Sequence, residues 1–289
     1  MTQGELFELG LAIGDVTIGL RCWDEEFAHV LSCWCGKFRS ERSPDFWLEI
    51  ELREGRCASA IQRILPELRV KTEGAHFRSD PQLWEGTYSA TGRLLRFSSE
   101  RALFDLSTRP RWLNILLSSV YNTVCESRAG ATRAWHLVHG CGVVVDGRGY
   151  LFTGPSGVGK TTVARLSQDR TVLNDEVVLL RSSARAVRMI GTPLLGGVNR
   201  RSGECVQVQA ILMLRPARDT GLRRLDRKES FQQFLAQVFD LAPVWCSEGN
   251  RRQLLGQQIE FSGAVLNEVP AYELRFQPDG SFWPLLEAL

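Results

Sequence analysis

What this chain lacks narrows its identity before any motif is read. No stretch approaches the roughly 18 consecutive apolar residues that a membrane-spanning helix needs. The first residues, MTQGELFELGLAIGD, place acids where a secretory signal carries basic residues followed by an apolar run. The expectation is a cytoplasmic protein with no membrane partner. An excess of one charge is missing too: 35 Lys and Arg against 33 Asp and Glu leave a formal net charge of +2 over 289 residues. Binding nucleic acid electrostatically takes a far larger or more clustered basic surplus. The pairs Arg200–Arg201, Arg223–Arg224 and Arg251–Arg252 each sit among acids or polar residues, so nucleic acid is not an expected partner. Metal-ligand spacing is absent as well. Cys33 and Cys35 form C-x-C, but no second Cys or His pair follows at zinc spacing. The eight cysteines are scattered and mostly in apolar runs, and read as small hydrophobes of a reducing compartment. There is no internal repeat and no low-complexity segment.

What is present is ordinary globular material, 44% hydrophobic and 24% charged. At about 100–200 residues per domain, the length suits one large or two modest domains. Residues 5–20 alternate loosely, as a strand or hairpin does. Asp24-Glu25-Glu26 opens a helix over FAHVLSCWCGKF, because acids suit a first helical turn. FWLEIEL (46–52) reads as a strand, and TYSATGRLLRF (87–97) as a hairpin turning near Thr91-Gly92. This first part, residues 1–108, is a smaller α+β accessory or substrate domain without a catalytic signature. Pro110 then precedes a segment with apolar residues at three- and four-residue steps, a helix that Gly130 can end. From residue 109 to 289 the pattern is α/β. WHLVHGCGVVVDGRGYLFTG gives two apolar strands joined by a D-G turn.

The chain then reads GPSGVGKTTVARLSQ, followed by DRTVLNDEVVLL. Residues 154–161 match G-x-x-x-x-G-K-[ST], the Walker A pattern, at every fixed position, after an apolar strand and before a helix. Gly154, Ser156, Gly157, Val158, Gly159, Lys160, Thr161 and Thr162 form this loop. Small residues let the backbone wrap a phosphate so that successive N–H groups point at its oxygens. The helix start adds its positive end. Lys160 bridges to the β- and γ-phosphates, and the Thr161 hydroxyl ligates Mg²⁺. ATP and Mg²⁺ are the cofactors this pattern calls for.

Asn174-Asp175-Glu176 follow about fifteen residues beyond Lys160. An acid at the end of a strand beside such a loop can hold Mg²⁺ or take a proton from an attacking hydroxyl. Asp175 is the candidate for both. Strand alternation sends Glu176 to the opposite face, a structural position. His139 is a candidate catalytic residue, although a lone His in an apolar strand also packs in a core; His136 falls on the other face and reads as structural. Asn199, Arg200 and Arg201 follow a Gly-Gly turn and can hold phosphate, or form a solvated loop. Several nucleotide-binding classes drop out: there is no N-K-x-D, no L-S-G-G-Q and no H-R-D with D-F-G.

His139-Gly140, a short apolar hairpin, GPSGVGKTT, a short helix and VLNDEVVLL run in an order that resembles the bacterial HPr kinase/phosphorylase family. In the same respect the order is similar to phosphoenolpyruvate carboxykinase. GTPLLGGVNRRSG and VPAYELRF look like HPr-kinase-related proteins found with peptide-tailoring enzymes, including kinases of lasso-type precursor peptides. The resemblance implies a P-loop core with a mixed sheet, the P-loop strand preceded by a hairpin. It implies His139 near the transferred phosphate and Asp175 in the second position of an Asp-Asp pair. Asn174 stands in the first position, where an amide cannot accept a proton. Glu204 is a second metal-ligand candidate on its distance along the chain. HPr kinases assemble into hexamers, which makes a homo-oligomer one option, but the first domain here differs and can cover the equivalent surfaces, so the oligomeric state stays open.

The expected function is therefore an ATP- and Mg²⁺-dependent kinase with Asp175, His139 and Lys160 as its catalytic residues and Thr161 and Asp175 on the metal. Its acceptor is a serine of a peptide or small protein. A kinase of a small hydroxyl metabolite, and a nucleotide-responsive binding module without transfer, are the alternatives.

Overall fold

The computed structural model describes residues 5–53, 76–78, 84–89, 93–100, 111–127, 135–183, 185–238 and 248–289. The Thr91-Gly92 turn, Pro110, Gly130, Cys57 and Cys246 lie outside these residues. The fold is mixed α/β with two sheets. Contacts divide the chain into two compact units, Met1–Ala129 with Leu241–Glu248, and Gly130–Asp240 with Gly249–Leu289.

The first unit opens with the hairpin β1 (Phe7–Ile13) and β2 (Val16–Cys22). Helix α1 (Glu25–Cys35) begins where its acids suggest, with the Asp24 side chain accepting the Phe27 N–H at 2.8 Å. Strands β3 (Phe46–Arg53), β4 (His76–Arg78), β5 (Trp84–Ser89) and β6 (Leu94–Glu100) complete a six-stranded sheet in the order β1-β2-β3-β6-β5-β4. β5 and β6 pair antiparallel, as the hairpin reading requires. Helix α2 (Arg111–Ser127) packs on β2 and β3 of this sheet. Glu8, Arg21, Glu49 and Arg96 stand in one row across four strands, alternating in sign, with ion pairs of 2.6, 3.4 and 2.7 Å between neighbours. Opposite charges placed directly across strands favour one register over a slipped one.

The second unit is built around β7 (His136–Val145) and β8 (Arg148–Thr153), an antiparallel hairpin. Its turn residues Asp146 and Gly147 both take positive φ, 50° and 74°, the tight geometry that an Asp-Gly pair prefers. Next come α3 (Lys160–Leu166), β9 (Thr171–Asn174), β10 (Val177–Ser183), β11 (Ala186–Gly191) and β12 (Cys205–Pro216). The chain continues through β13 (Gly221–Arg224), α4 (Arg227–Leu235), α5 (Glu248–Glu268), β14 (Ala271–Phe276) and α6 (Trp283–Glu287). The strand order is β11-β10-β7-β8-β12-β14-β13, β9 pairs with β7, and β11 also pairs with β12. β8, β12 and β14 run parallel; the other pairings are antiparallel, so the sheet is mixed.

Alternation explains how this sheet is covered on both faces. From β7, β8 and β12, the side chains of Val138, Leu151, Ile211 and Met213 join one core cluster with Phe234, Phe261 and Val265 of α4 and α5. Their neighbours Cys141, Phe152, Leu212 and Leu214 join another with Val163 of α3 and Trp283 of α6. Strands buried on both faces read as continuous apolar runs, which is what VVV and YLF are. The loop 154–159 leaves the C-terminal end of such a strand, held by cores on either side.

Candidate functional site

Loop 154–159 carries β8 directly into α3. Gly154, Gly157 and Gly159 take φ of 142°, 81° and 118°, a region that side chains strain. At Gly159 space matters as well, because a Cβ there would meet Cζ of Phe276 at 2.6 Å. Ser156 and Gly157 are exposed at the loop tip, and Val158 and Gly159 are half-buried. The first helical bond of α3 runs from the Val163 N–H to the Gly159 carbonyl at 2.9 Å, and no side chain caps the helix. The N–H groups of Lys160, Thr161 and Thr162 thus have no intrahelical partner. An oxyanion is the kind of ligand that satisfies them.

Lys160 is 5% exposed, and its ammonium turns back into the loop, donating to the carbonyls of Gly154 at 2.8 Å and Pro155 at 3.0 Å. Burial pulls its pKa below the ordinary lysine value, and the negative charges of Glu176 and Asp175, in falling order, act against that pull. Among the described residues no carboxylate forms an ion pair with this lysine, which is held by two neutral carbonyls.

Asp175 is 1% exposed. Its Oδ2 accepts the Gly197 N–H at 2.9 Å, and its Oδ1 accepts the Val198 N–H at 3.3 Å. The Gly-Gly turn therefore lies directly on this carboxylate. A Cβ at Gly196 would collide with Asp175, and one at Gly197 would meet Thr161 Oγ1 at 2.8 Å and Asp175 Oδ2 at 3.0 Å. Thr161 and Asp175 thus face the same point from the start of α3 and the end of β9. Among the described residues no partner hydrogen-bonds the Thr161 hydroxyl. A hydroxyl and a carboxylate are hard oxygen donors, the set that Mg²⁺ takes while keeping waters and phosphate oxygens in its remaining positions. These residues fit the ion. Among the described residues no group of three or more His, Cys, Asp or Glu side chains could hold a metal, and Glu204 is exposed just before β12.

Asn174 is fully buried and its amide is used at both ends. Nδ2 donates to the carbonyls of Thr192 at 2.9 Å and Leu194 at 2.8 Å; Oδ1 accepts the N–H groups of Glu176 at 2.7 Å and Val177 at 3.1 Å. The amide ties the β9–β10 turn to the segment after β11 and offers nothing to a ligand.

Glu176 does not follow the alternation expected of it, because residues 175–176 form the turn between β9 and β10 and belong to neither strand. Its Oε1 lies 3.6 Å from Nε2 of His139, and its side chain is 44% exposed. Burial, with the Lys160 charge adding to it, pushes His139 down to about 4, so the imidazole is neutral at pH 7. The backbone N–H of His139 donates to the Gln237 carbonyl at 2.8 Å, and its carbonyl accepts from Thr153 Oγ1 at 2.7 Å. His136 is buried and stacks on Phe261 with ring centroids 3.8 Å apart.

Arg200 has a use that the Gly-Gly turn did not disclose. Its guanidinium donates to the carbonyls of Ala164, Ser167, Gln168 and Arg170 at 3.4, 2.9, 3.1 and 2.6 Å, from the last turn of α3 into the turn before β9. Arg201 donates to the Pro193 carbonyl and to Asn199 Oδ1. These arginines brace the loop and do not stand open to solvent. Two signals existed in the sequence, an Arg at loop distance from a short helix and a second acid at a turn, but neither names its partner.

No protein-family model matches this chain, and no curated protein matches it. Among solved structures it is similar to the Hpr(Ser) kinase/phosphatase from Coxiella burnetii, at 13% identity over 53% of this chain and 87% of that one, with a TM-score of 0.27. A likeness at that identity and score decides nothing about this chain, and the site rests on its own residues.

Proposed function

We propose that the protein is an ATP- and Mg²⁺-dependent phosphotransferase that moves the γ-phosphoryl group to a hydroxyl. The observation that carries this reading is the segment GPSGVGKT, folded between a buried strand and a helix that no side chain caps, with the Lys160 ammonium inside the loop. Phosphoryl transfer asks a protein mainly for positioning and charge. The loop amides and the N-terminal end of α3 supply donors aimed at phosphate oxygens. Lys160, released from the Gly154 and Pro155 carbonyls, brings a positive charge to the group in transit. Thr161 Oγ1 and the Asp175 carboxylate would hold Mg²⁺, which supplies charge neutralisation on the phosphate oxygens. The Gly196-Gly197 turn, lying against both, keeps bulk water off that side.

The acceptor class, a serine of a precursor peptide or small protein, is supported by the resemblance of the His-Gly, loop and Asn-Asp-Glu order to HPr kinase/phosphorylase. The test is transfer from γ-labelled ATP with Mg²⁺ to any small peptide encoded beside the gene, and to HPr. Label on a peptide with the native chain, and none with Lys160→Ala, is the expected result. Label on small hydroxyl metabolites alone would make this a metabolite kinase. ATP binding without transfer to any acceptor would make it a binding module.

A further inference from the structure

Two acids follow one another at the β9–β10 turn, and they occupy opposite situations. Asp175 is 1% exposed, both its oxygens accept backbone N–H groups, and the Gly196-Gly197 turn lies over it. Glu176 presents a side chain that is 44% exposed, with Oε1 3.6 Å from His139 Nε2. Among the acids acting on the buried Lys160 ammonium, Glu176 exerts the largest pull.

The backbone under Glu176 is fixed on both sides. Its N–H donates to Asn174 Oδ1 at 2.7 Å, and its carbonyl accepts from the Gly140 N–H at 3.1 Å. His139 is fixed equally, between the Gln237 carbonyl and Thr153 Oγ1. A side chain whose Cα is pinned, with an imidazole on an equally pinned backbone beside its carboxylate, has fewer places to put its oxygens than a free loop residue. That is the preorganisation a group facing an incoming nucleophile needs.

Resting on the phosphotransferase reading above, we infer that Glu176, and not Asp175, is the carboxylate that receives the acceptor hydroxyl, with His139 holding it in position. The acceptor oxygen forms its bond to the γ-phosphorus while the bond from that phosphorus to the β,γ-bridging oxygen breaks. ADP leaves with the electron pair, and the hydroxyl proton passes to Glu176, whose exposed side chain returns it to solvent. Asp175 stays on the metal side of the site with Thr161. Glu176 is then a catalytic residue and His139 a positioning residue.

The experiment compares native protein, Glu176→Gln, Glu176→Asp and Asp175→Asn, with Mg·ATP as the probe and ADP formation as the rate, first with water as acceptor and then with a labelled peptide. Glu176→Gln should bind Mg·ATP within about twofold of native by calorimetry while its kcat falls at least about 100-fold, the usual effect of removing a positioned proton acceptor. Glu176→Asp, which keeps the carboxylate on a shorter stem, should recover part of that loss. Asp175→Asn should instead weaken Mg²⁺-dependent nucleotide binding. Native kcat in Glu176→Gln, or a loss of binding in it as large as in Asp175→Asn, overturns the inference and leaves the phosphotransferase standing. A native chain that turns over no ATP with any acceptor overturns both.

Discussion

Both ends of the Asn174 amide are engaged, and this explains why a carboxylate does not stand there. Two backbone carbonyls, of Thr192 and Leu194, point at its Nδ2 from 2.9 and 2.8 Å. A carboxylate in that place would face two acceptors, lose both donors and carry a buried charge with no cation against it. Thr192 reinforces the same corner, its hydroxyl donating to the Val177 carbonyl at 2.6 Å. Asn174→Asp should therefore cost about 3 kcal/mol or more of stability, the usual penalty for an uncompensated buried charge. Urea unfolding measures it as a lower midpoint at unchanged slope, and a variant within about 1 kcal/mol of native would show that the amide is dispensable. The motif singled out Lys160 and Thr161, and a strand end beside the loop singled out Asp175, because each of these signals lies in neighbouring residues of the chain. The partners of Asn174 are 18 and 20 residues away, and no local pattern points to them. Glu176 was misplaced for a related reason: a period of two was carried one turn past the end of β9.

At the scale of elements, α3 is the weak part of the site. Its seven residues are too few for a helix to hold by itself, and its apolar packing comes from Val163, Ala164 and the partly buried Leu166. One guanidinium, from residue 200, takes the Ala164 carbonyl in its last turn, the Ser167 carbonyl that caps it, and the Gln168 and Arg170 carbonyls of the turn that follows. A cation at the negative end of a helix is favourable, and here it also hydrogen-bonds the last carbonyls. Removing it should cost about 1–2 kcal/mol. Arg200→Ala should show this as faster hydrogen exchange at the amides of residues 164–170, with the amides of α5 unchanged. Arg200→Lys should restore less than half, since an ammonium cannot reach four carbonyls as a planar fork does. Unchanged exchange in Arg200→Ala would mean that the loop alone sets the end of α3. The hairpin β7–β8, the loop and α3 were legible because turn chemistry, apolar runs and the motif agree over about 30 residues. The Arg200 contact was not, because an arginine after a glycine pair looks the same whether it faces water or a helix end.

At the scale of the whole molecule, the strands of the first unit were readable where alternation was regular, as in β1, β2, β3 and the β5–β6 pair. Helix α2 was placed by its periodicity, but periodicity does not say which sheet a helix lies on; it packs on β2 and β3. Each unit has its own sheet and its own buried side chains: Leu11, Ile18, Leu31 and Leu48 in the first, Phe152, Leu212, Phe234 and Leu274 in the second. Units with separate cores unfold as separate cooperative blocks. Every residue of the proposed nucleotide site, from His139 through Arg200, belongs to the second. Calorimetry of the native chain should thus give two transitions, and Mg·ATP should raise only one. At 100 times its dissociation constant a ligand adds about 2.7 kcal/mol to the unit that binds it, which for a block of this size moves the midpoint by about 5–10 °C. In Lys160→Ala the same nucleotide concentration should leave both transitions close to their unliganded positions. A nucleotide shift confined to the transition of the first unit would remove loop 154–159 as the binding site, and a single transition that moves as a whole would show that the two cores melt together.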